Sequence, residues 1–72
     1  MKKAFKIREL DCAHCAQEIE EAASKVAGVN KVRVNFLSER MTLDAEDARF
    51  DAVLDEIKKI VNTIEPDAVL EA

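Results

Sequence analysis

The spacing of apolar residues is the feature that most restricts how this chain of 72 residues can fold. Alternating apolar positions, typical of a half-buried strand, occur near the start, twice in the middle and near the end. Apolar positions three and four apart, typical of an amphipathic helix, fill the two stretches between them. The predicted elements are strands over Ala4–Leu10, Val32–Phe36, Met41–Leu43 and Asp67–Glu71, and helices over Ala13–Ala27 and around Phe50–Val61.

Glycine, aspartate and proline residues set the predicted ends of the helices. Gly28 follows the first helix and is expected to stop it. Asp44 and Asp47 are both candidate caps at the start of the second helix. Pro66 should end that helix, because proline disfavours helical backbone in the preceding residue, so Glu65 is expected to be extended.

The order β-α-β-β-α-β predicts a single α+β domain spanning residues 1–72. Two strand-helix-strand halves with right-handed crossovers give the split-βαβ, ferredoxin-like fold. Its four-stranded antiparallel sheet carries both helices on one face. In this topology the loop after the first strand and the loop before the last strand lie at the same end. We therefore expect Asp11–Cys15 and Ile64–Asp67 to be neighbours.

The two cysteines of the chain, Cys12 and Cys15, form a Cys-X-X-Cys motif between the first strand and the first helix. Thiolates are soft ligands that select Cu(I), Zn(II) and their heavier relatives. In a reducing cytosol such a motif is either a metal site or a catalytic dithiol. Cys15 falls in the first helical turn, where the exposed N–H groups should leave it partly ionised near neutral pH.

Three other residues are candidate ligands. Asp11 precedes Cys12, and its hard carboxylate would suit a divalent ion better than Cu(I), although Asp before a helix is also a common cap. His14 lies inside the motif, but adjacent helical residues point about 100° apart, so it should face solvent when Cys15 faces a metal. Glu65 could add a carboxylate from the neighbouring loop or could be a solvated loop acid.

Composition excludes several functions. A net charge of −4, with three Phe and no Tyr or Trp, argues against nucleic acid binding. Charged residues interrupt the apolar residues after Met1, so neither a signal peptide nor a membrane span is predicted, and we expect a cytoplasmic protein without direct membrane insertion. The chain is also too short for a catalytic domain with a lid or second lobe. A binding module, and not an enzyme, is the prediction.

The chain resembles the heavy-metal-associated domains, which occur as small soluble metallochaperones and as cytosolic N-terminal domains of metal-exporting P-type ATPases. The resemblance covers nearly the whole chain. Its matching segments are Leu10–Ala16, Gly28–Val29, Val32–Phe36 and Ile57–Ile60. One departure is Glu9-Leu10, where the family commonly has Gly-Met. The segment Ile64–Asp67 is more similar to the zinc, cadmium and lead exporters than to the copper branch.

The resemblance implies a module that binds Zn(II), Cd(II) or Pb(II) at Cys12 and Cys15 with help from Asp11. Such a module delivers or senses the ion for a metal-transporting P-type ATPase, as a separate monomer or as part of the same chain on the cytosolic face of the membrane. Two alternatives stay open. One is a Cu(I) metallochaperone of the same fold, and the other is a small dithiol-disulfide reductase.

Overall fold

The computed structural model describes residues 1–10 and 12–71, and in this part of the chain it contains four strands and two helices in the predicted order. The strands are β1 (Lys2–Arg8), β2 (Val29–Asn35), β3 (Arg40–Ala45) and β4 (Val69–Glu71), and the helices are α1 (Ala13–Ser24) and α2 (Phe50–Ile64). The strands form one antiparallel sheet in the order β2-β3-β1-β4. This confirms the ferredoxin-like fold.

One face of the sheet and both helices enclose a single apolar core. Alternate residues of β1 and β3 point into this core, and the apolar stripes of α1 and α2 cover them. The largest fully buried side chains are Ile7, Leu10, Ile19, Met41, Leu43, Val53, Ile57 and Val61. The opposite face of the sheet is left to solvent. Within residues 1–10 and 12–71, the helices fall short of the length and apolarity needed to cross a membrane.

The helix α1 ends earlier than predicted. It ends at Ser24, and the Lys25 N–H donates to the carbonyls of Ala22 and Ala23, which closes the last turn. Gly28 instead forms the turn into β2, with φ at 98°. A side chain there would be strained, and its Cβ would come within 3.2 Å of Arg49 and Val53.

The predicted caps of α2 are wrong. Asp44 lies within β3, and Asp47 opens a short 3₁₀ turn, Asp47–Arg49, that leads directly into the helix. Neither the turn nor α2 has a side-chain cap, because the turn already pairs the Arg49 N–H with the Glu46 carbonyl. At the other end Glu65 is extended, with φ −139° and ψ 89°, as the following proline predicts.

Candidate metal site

Three connections meet at one end of the sheet, and two of them carry the predicted site residues. The loop after β1 lies beside the β2–β3 turn, where the Ile7 N–H donates to the Glu39 carbonyl at 2.9 Å. The loop before β4 lies on the other side, since Arg8 pairs with Val69 in the sheet. The structure therefore brings the Cys-X-X-Cys motif next to Glu65.

The loop after β1 is anchored just before the cysteines. Leu10 is 2% exposed and inserts into the core, whereas Glu9 adopts a left-handed backbone conformation with φ 63°. Such a conformation is costly for a residue with a Cβ. Asp11, the predicted carboxylate ligand, lies outside the described residues.

Cys12 occupies the N-cap position of α1. Its Sγ accepts a hydrogen bond from the Cys15 N–H at 3.2 Å, in the way that a serine or aspartate oxygen usually caps a helix. Both thiols are half-buried. The sequence did not reveal this role, because cysteine is not a common N-cap residue, whereas aspartate, which precedes it at position 11, is a common one.

The two thiols differ in acidity. The pKa of Cys12 is lowered, first by a hydrogen bond from the Cys15 thiol and then by the Cys15 N–H. The pKa of Cys15 is raised to about 11, first because its thiol donates to Cys12, then because of desolvation and the negative charges around it. The expectation that Cys15 is the ionised thiol is therefore wrong. The helix N-terminus stabilises the sulfur that caps it, and that sulfur belongs to Cys12.

Glu65 connects the two loops. One carboxylate oxygen, Oε2, lies 3.9 Å from Cys15 Sγ, and the other, Oε1, accepts from the Asp67 N–H at 3.4 Å. The residue is half-buried. A carboxylate in this position can bind a cation that the thiols hold, or it can receive the Cys15 proton. Among the described residues, however, no three His, Cys, Asp or Glu side chains are already arranged around a metal position.

His14 is not drawn into this cluster. Its side chain is 77% exposed, and Nε2 lies 3.0 Å from Oε1 of Glu18, one turn further along α1. The structure thus joins Cys12, Cys15 and Glu65 and leaves His14 on the surface.

Comparison with known proteins identifies relatives of this chain. A family model for the heavy-metal-associated domain matches residues 4–69. The zinc/cadmium/lead-transporting P-type ATPase of Escherichia coli (strain K12) is 42% identical over 43 residues, which are 60% of this chain and 6% of the ATPase. The copper chaperone CopZ of Enterococcus hirae is 33% identical over 64 residues, which are 89% of this chain and 90% of the chaperone.

A solved structure has a similar fold. The solution structure of the N-terminal domain of ZntA in the Zn(II) form has a TM-score of 0.74 and 27% identity, covering 97% of this chain and 88% of that one. This chain spans only a small part of the ATPase relatives but almost all of the chaperone. With a family match over residues 4–69, the chain belongs to the heavy-metal-associated domain family.

Proposed function

We propose that this chain binds Zn(II), or the heavier ions Cd(II) and Pb(II), through Cys12 and Cys15 and passes the ion to a metal-transporting P-type ATPase. The observation that carries the proposal is the contact between Glu65 Oε2 and Cys15 Sγ at 3.9 Å. This contact supports a metal site in which both sulfur and oxygen atoms surround the ion. Zn(II) accepts thiolate and carboxylate ligands together and is usually four-coordinate, whereas Cu(I) prefers soft ligands.

In this proposal the ligand shell is incomplete. Cys12 and Cys15 supply two thiolates, and Asp11, adjacent to Cys12 in the sequence, supplies a carboxylate. Glu65 is a further carboxylate beside Cys15. With Cys12, Cys15 and Asp11 as the three ligands and Glu65 as a nearby negative charge, one position of a tetrahedral ion is left for water or for a ligand of the receiving protein. An open position permits transfer by ligand exchange.

The unequal thiols suggest an order of binding. Cys12, whose pKa is lowered, supplies the first thiolate. Cys15, whose pKa is raised to about 11, loses its proton as the ion arrives, since metal binding to a thiol releases a proton. The Glu65 carboxylate is within reach to receive that proton.

The similarity to the zinc/cadmium/lead-transporting ATPase supports a transport ATPase as partner. The partner could be part of the same chain or a separate protein, because the chain is similar both to a piece of the ATPase and to nearly all of a chaperone. We infer a cytosolic, monomeric module that catalyses no reaction itself. Family membership also favours metal binding over a dithiol reductase.

A Cu(I) metallochaperone is the second candidate. The observation in its favour is the 33% identity with a copper chaperone over 90% of that protein. Two thiolates from one loop are sufficient for Cu(I), which does not need a carboxylate.

Competition titrations with Zn(II) and Cu(I) distinguish the two candidates. We expect Asp11→Ala and Glu65→Gln each to weaken Zn(II) binding by about 10 to 100-fold, the range seen when residues supporting a metal site are lost. Binding of Cu(I) should change little. The matched control is Asp67→Asn, which removes one negative charge from an exposed residue in the same loop as Glu65.

If both carboxylate variants bind Zn(II) as tightly as the parent, the site consists of thiols alone and the copper candidate is favoured. If the parent binds neither ion tightly, the proposed function is wrong.

A further inference from the structure

The face of the sheet turned away from the helices carries a concentration of positive charge in an acidic protein. It holds six of the eleven Lys and Arg residues and only two of the fifteen acidic ones, Asp44 and Glu71. We call it the basic sheet face. Its cations are Lys2, Lys6, Arg8, Lys31, Arg33 and Arg40. The helices and loops carry most of the acidic residues.

Within the described residues one of these cations contacts an acid, although Lys2 and Lys31 lie opposite Asp44 and Lys6 lies opposite Glu71 in the sheet. Arg8 contacts Glu71 at 3.2 Å. Across residues 1–10 and 12–71, the other five form no ion pair, although the chain has more acids than bases. The charges are therefore available to an external anion.

Structural roles explain only part of this pattern. Lysine and arginine on an edge strand discourage pairing with other sheets, which accounts for Lys31 and Arg33 on β2. Lys6 and Arg40 lie on the two central strands and are directly opposite one another. Like charges in that position destabilise a sheet, and Glu71, which lies opposite Lys6 on β4 but contacts Arg8, offsets this only in part.

We propose that the basic sheet face binds peripherally to the surface of an anionic lipid bilayer. Each Lys or Arg close to such a surface favours binding, and this face presents six of them on one sheet. A shallow groove of about 340 Å³ between Lys6 and Arg40 can admit phosphate oxygens. This goes beyond metal binding and does not depend on it.

A bilayer suits the face better than a protein does. Protein interfaces depend on buried aromatic, Met or Arg anchors set in a desolvated apolar centre. On the basic sheet face the apolar residues are Ala4 and Val69, and the chain's aromatic residues are three Phe that pack in or against the core. Absence of aromatic rings on the face also disfavours nucleic acid.

The net charge of −4 does not prevent this contact. The molecule measures 17 Å along its shortest axis. The Debye length at physiological ionic strength is about 8 Å, so acids on the helical side are largely screened from a bilayer touching the sheet. Cys12 and Cys15, at the start of α1, lie on the helical side and stay accessible.

Sedimentation with lipid vesicles tests the proposal. At low salt we expect the parent to bind vesicles of 70% phosphatidylcholine and 30% phosphatidylglycerol, and 0.5 M salt should release it. Vesicles of pure phosphatidylcholine should not bind the parent. The double variant Lys6→Glu/Arg33→Glu should bind at least about tenfold more weakly. The control Lys25→Glu/Lys58→Glu has the same net charge but changes exposed residues on the helical side, and should bind within about threefold of the parent.

A measurement of stability separates the expected loss of vesicle binding from unfolding of the double variant. Lys6→Glu removes the like charge opposite Arg40 but introduces one opposite Glu71, so the two effects largely cancel. The thermal midpoint of the double variant, followed by circular dichroism, should therefore stay within a few degrees of that of the parent. The proposal is overturned if the parent does not bind anionic vesicles, or if both double variants lose binding equally. It is also overturned if poly-L-glutamate shifts the amide resonances of this face while vesicles do not, since that would indicate an acidic protein partner.

Discussion

At the scale of single residues, the two cysteines of one short motif have different chemistry. The Cys15 thiol and N–H both lower the pKa of Cys12, and the N–H donates to its sulfur at 3.2 Å. Cys15 is the donor and also faces the Glu65 carboxylate. One sulfur is therefore prepared as a thiolate, and the other keeps its proton until a cation replaces it.

This asymmetry predicts different rates of alkylation. In the metal-free protein near pH 8, iodoacetamide should modify Cys12 roughly tenfold faster than Cys15. The larger thiolate fraction of Cys12 is partly offset by the lower nucleophilicity of a more acidic thiol. Mass spectrometry of digests taken over time measures both rates.

Replacing the donor provides the control. Cys15→Ala removes the donor thiol, so the pKa of Cys12 should rise and its alkylation near pH 7 should slow. Faster modification of Cys15 than of Cys12 in the parent would contradict a lower pKa at Cys12 than at Cys15.

At the scale of elements, the loop that carries the cysteines is held by a strained residue between two well-packed ones. Ile7 is fully buried at the end of β1, and Leu10 is buried before α1. Glu9 lies between them with φ 63°. The chain bends there before Leu10 inserts into the core, and a glutamate adopts the left-handed conformation at a cost that glycine would avoid.

Glu9→Gly should therefore stabilise the protein. We expect the free energy of unfolding to rise by about 0.5–1 kcal/mol and the thermal midpoint by a few degrees. Glu9→Ala is the matched control, because it removes the same carboxylate but keeps a Cβ in the left-handed region. Thermal and urea unfolding followed by circular dichroism compare the three proteins. An equal gain from both substitutions would mean that charge, and not backbone conformation, is the cause.

At the scale of the whole molecule, the core and the metal site are separate. Side chains from the inner sheet face and both helices form the core. The site occupies loops at one end, where both thiols are only half-buried. Stability should therefore depend on the core, and metal binding on the loops.

The double variant Cys12→Ser/Cys15→Ser should keep the fold and lose tight metal binding. Serine is a good N-cap in place of Cys12, so the free energy of unfolding should change by no more than about 1 kcal/mol. Ile57→Ala, at a fully buried position, should cost about 2–5 kcal/mol. Urea unfolding measures the free energy of unfolding of each variant, and competition with a chromophoric chelator measures its affinity for the metal. Tight binding by the serine variant would show that the ion is held elsewhere.

The sequence alone determined the element order, the sheet with two helices, and the pairing of the cysteine loop with the loop of Glu65. These follow from apolar periodicity, a proline and the handedness of crossovers, which are local or general properties. It was less successful at element ends. Asp44 and Asp47 have the chemistry of caps, but strand pairing placed Asp44 in β3 and a 3₁₀ turn took the place of a cap at Asp47.

The difference in pKa between the two thiols, the position of Glu65 and the gathering of positive charge on one face arise from contacts made in the folded protein. The pKa values of the two thiols depend on which sulfur caps α1, and here Cys12 Sγ accepts the Cys15 N–H. The contact from Cys15 to Glu65 joins residues 50 positions apart. The basic sheet face likewise requires a strand register that sets Lys6 opposite Arg40, and register is a property of the assembled sheet.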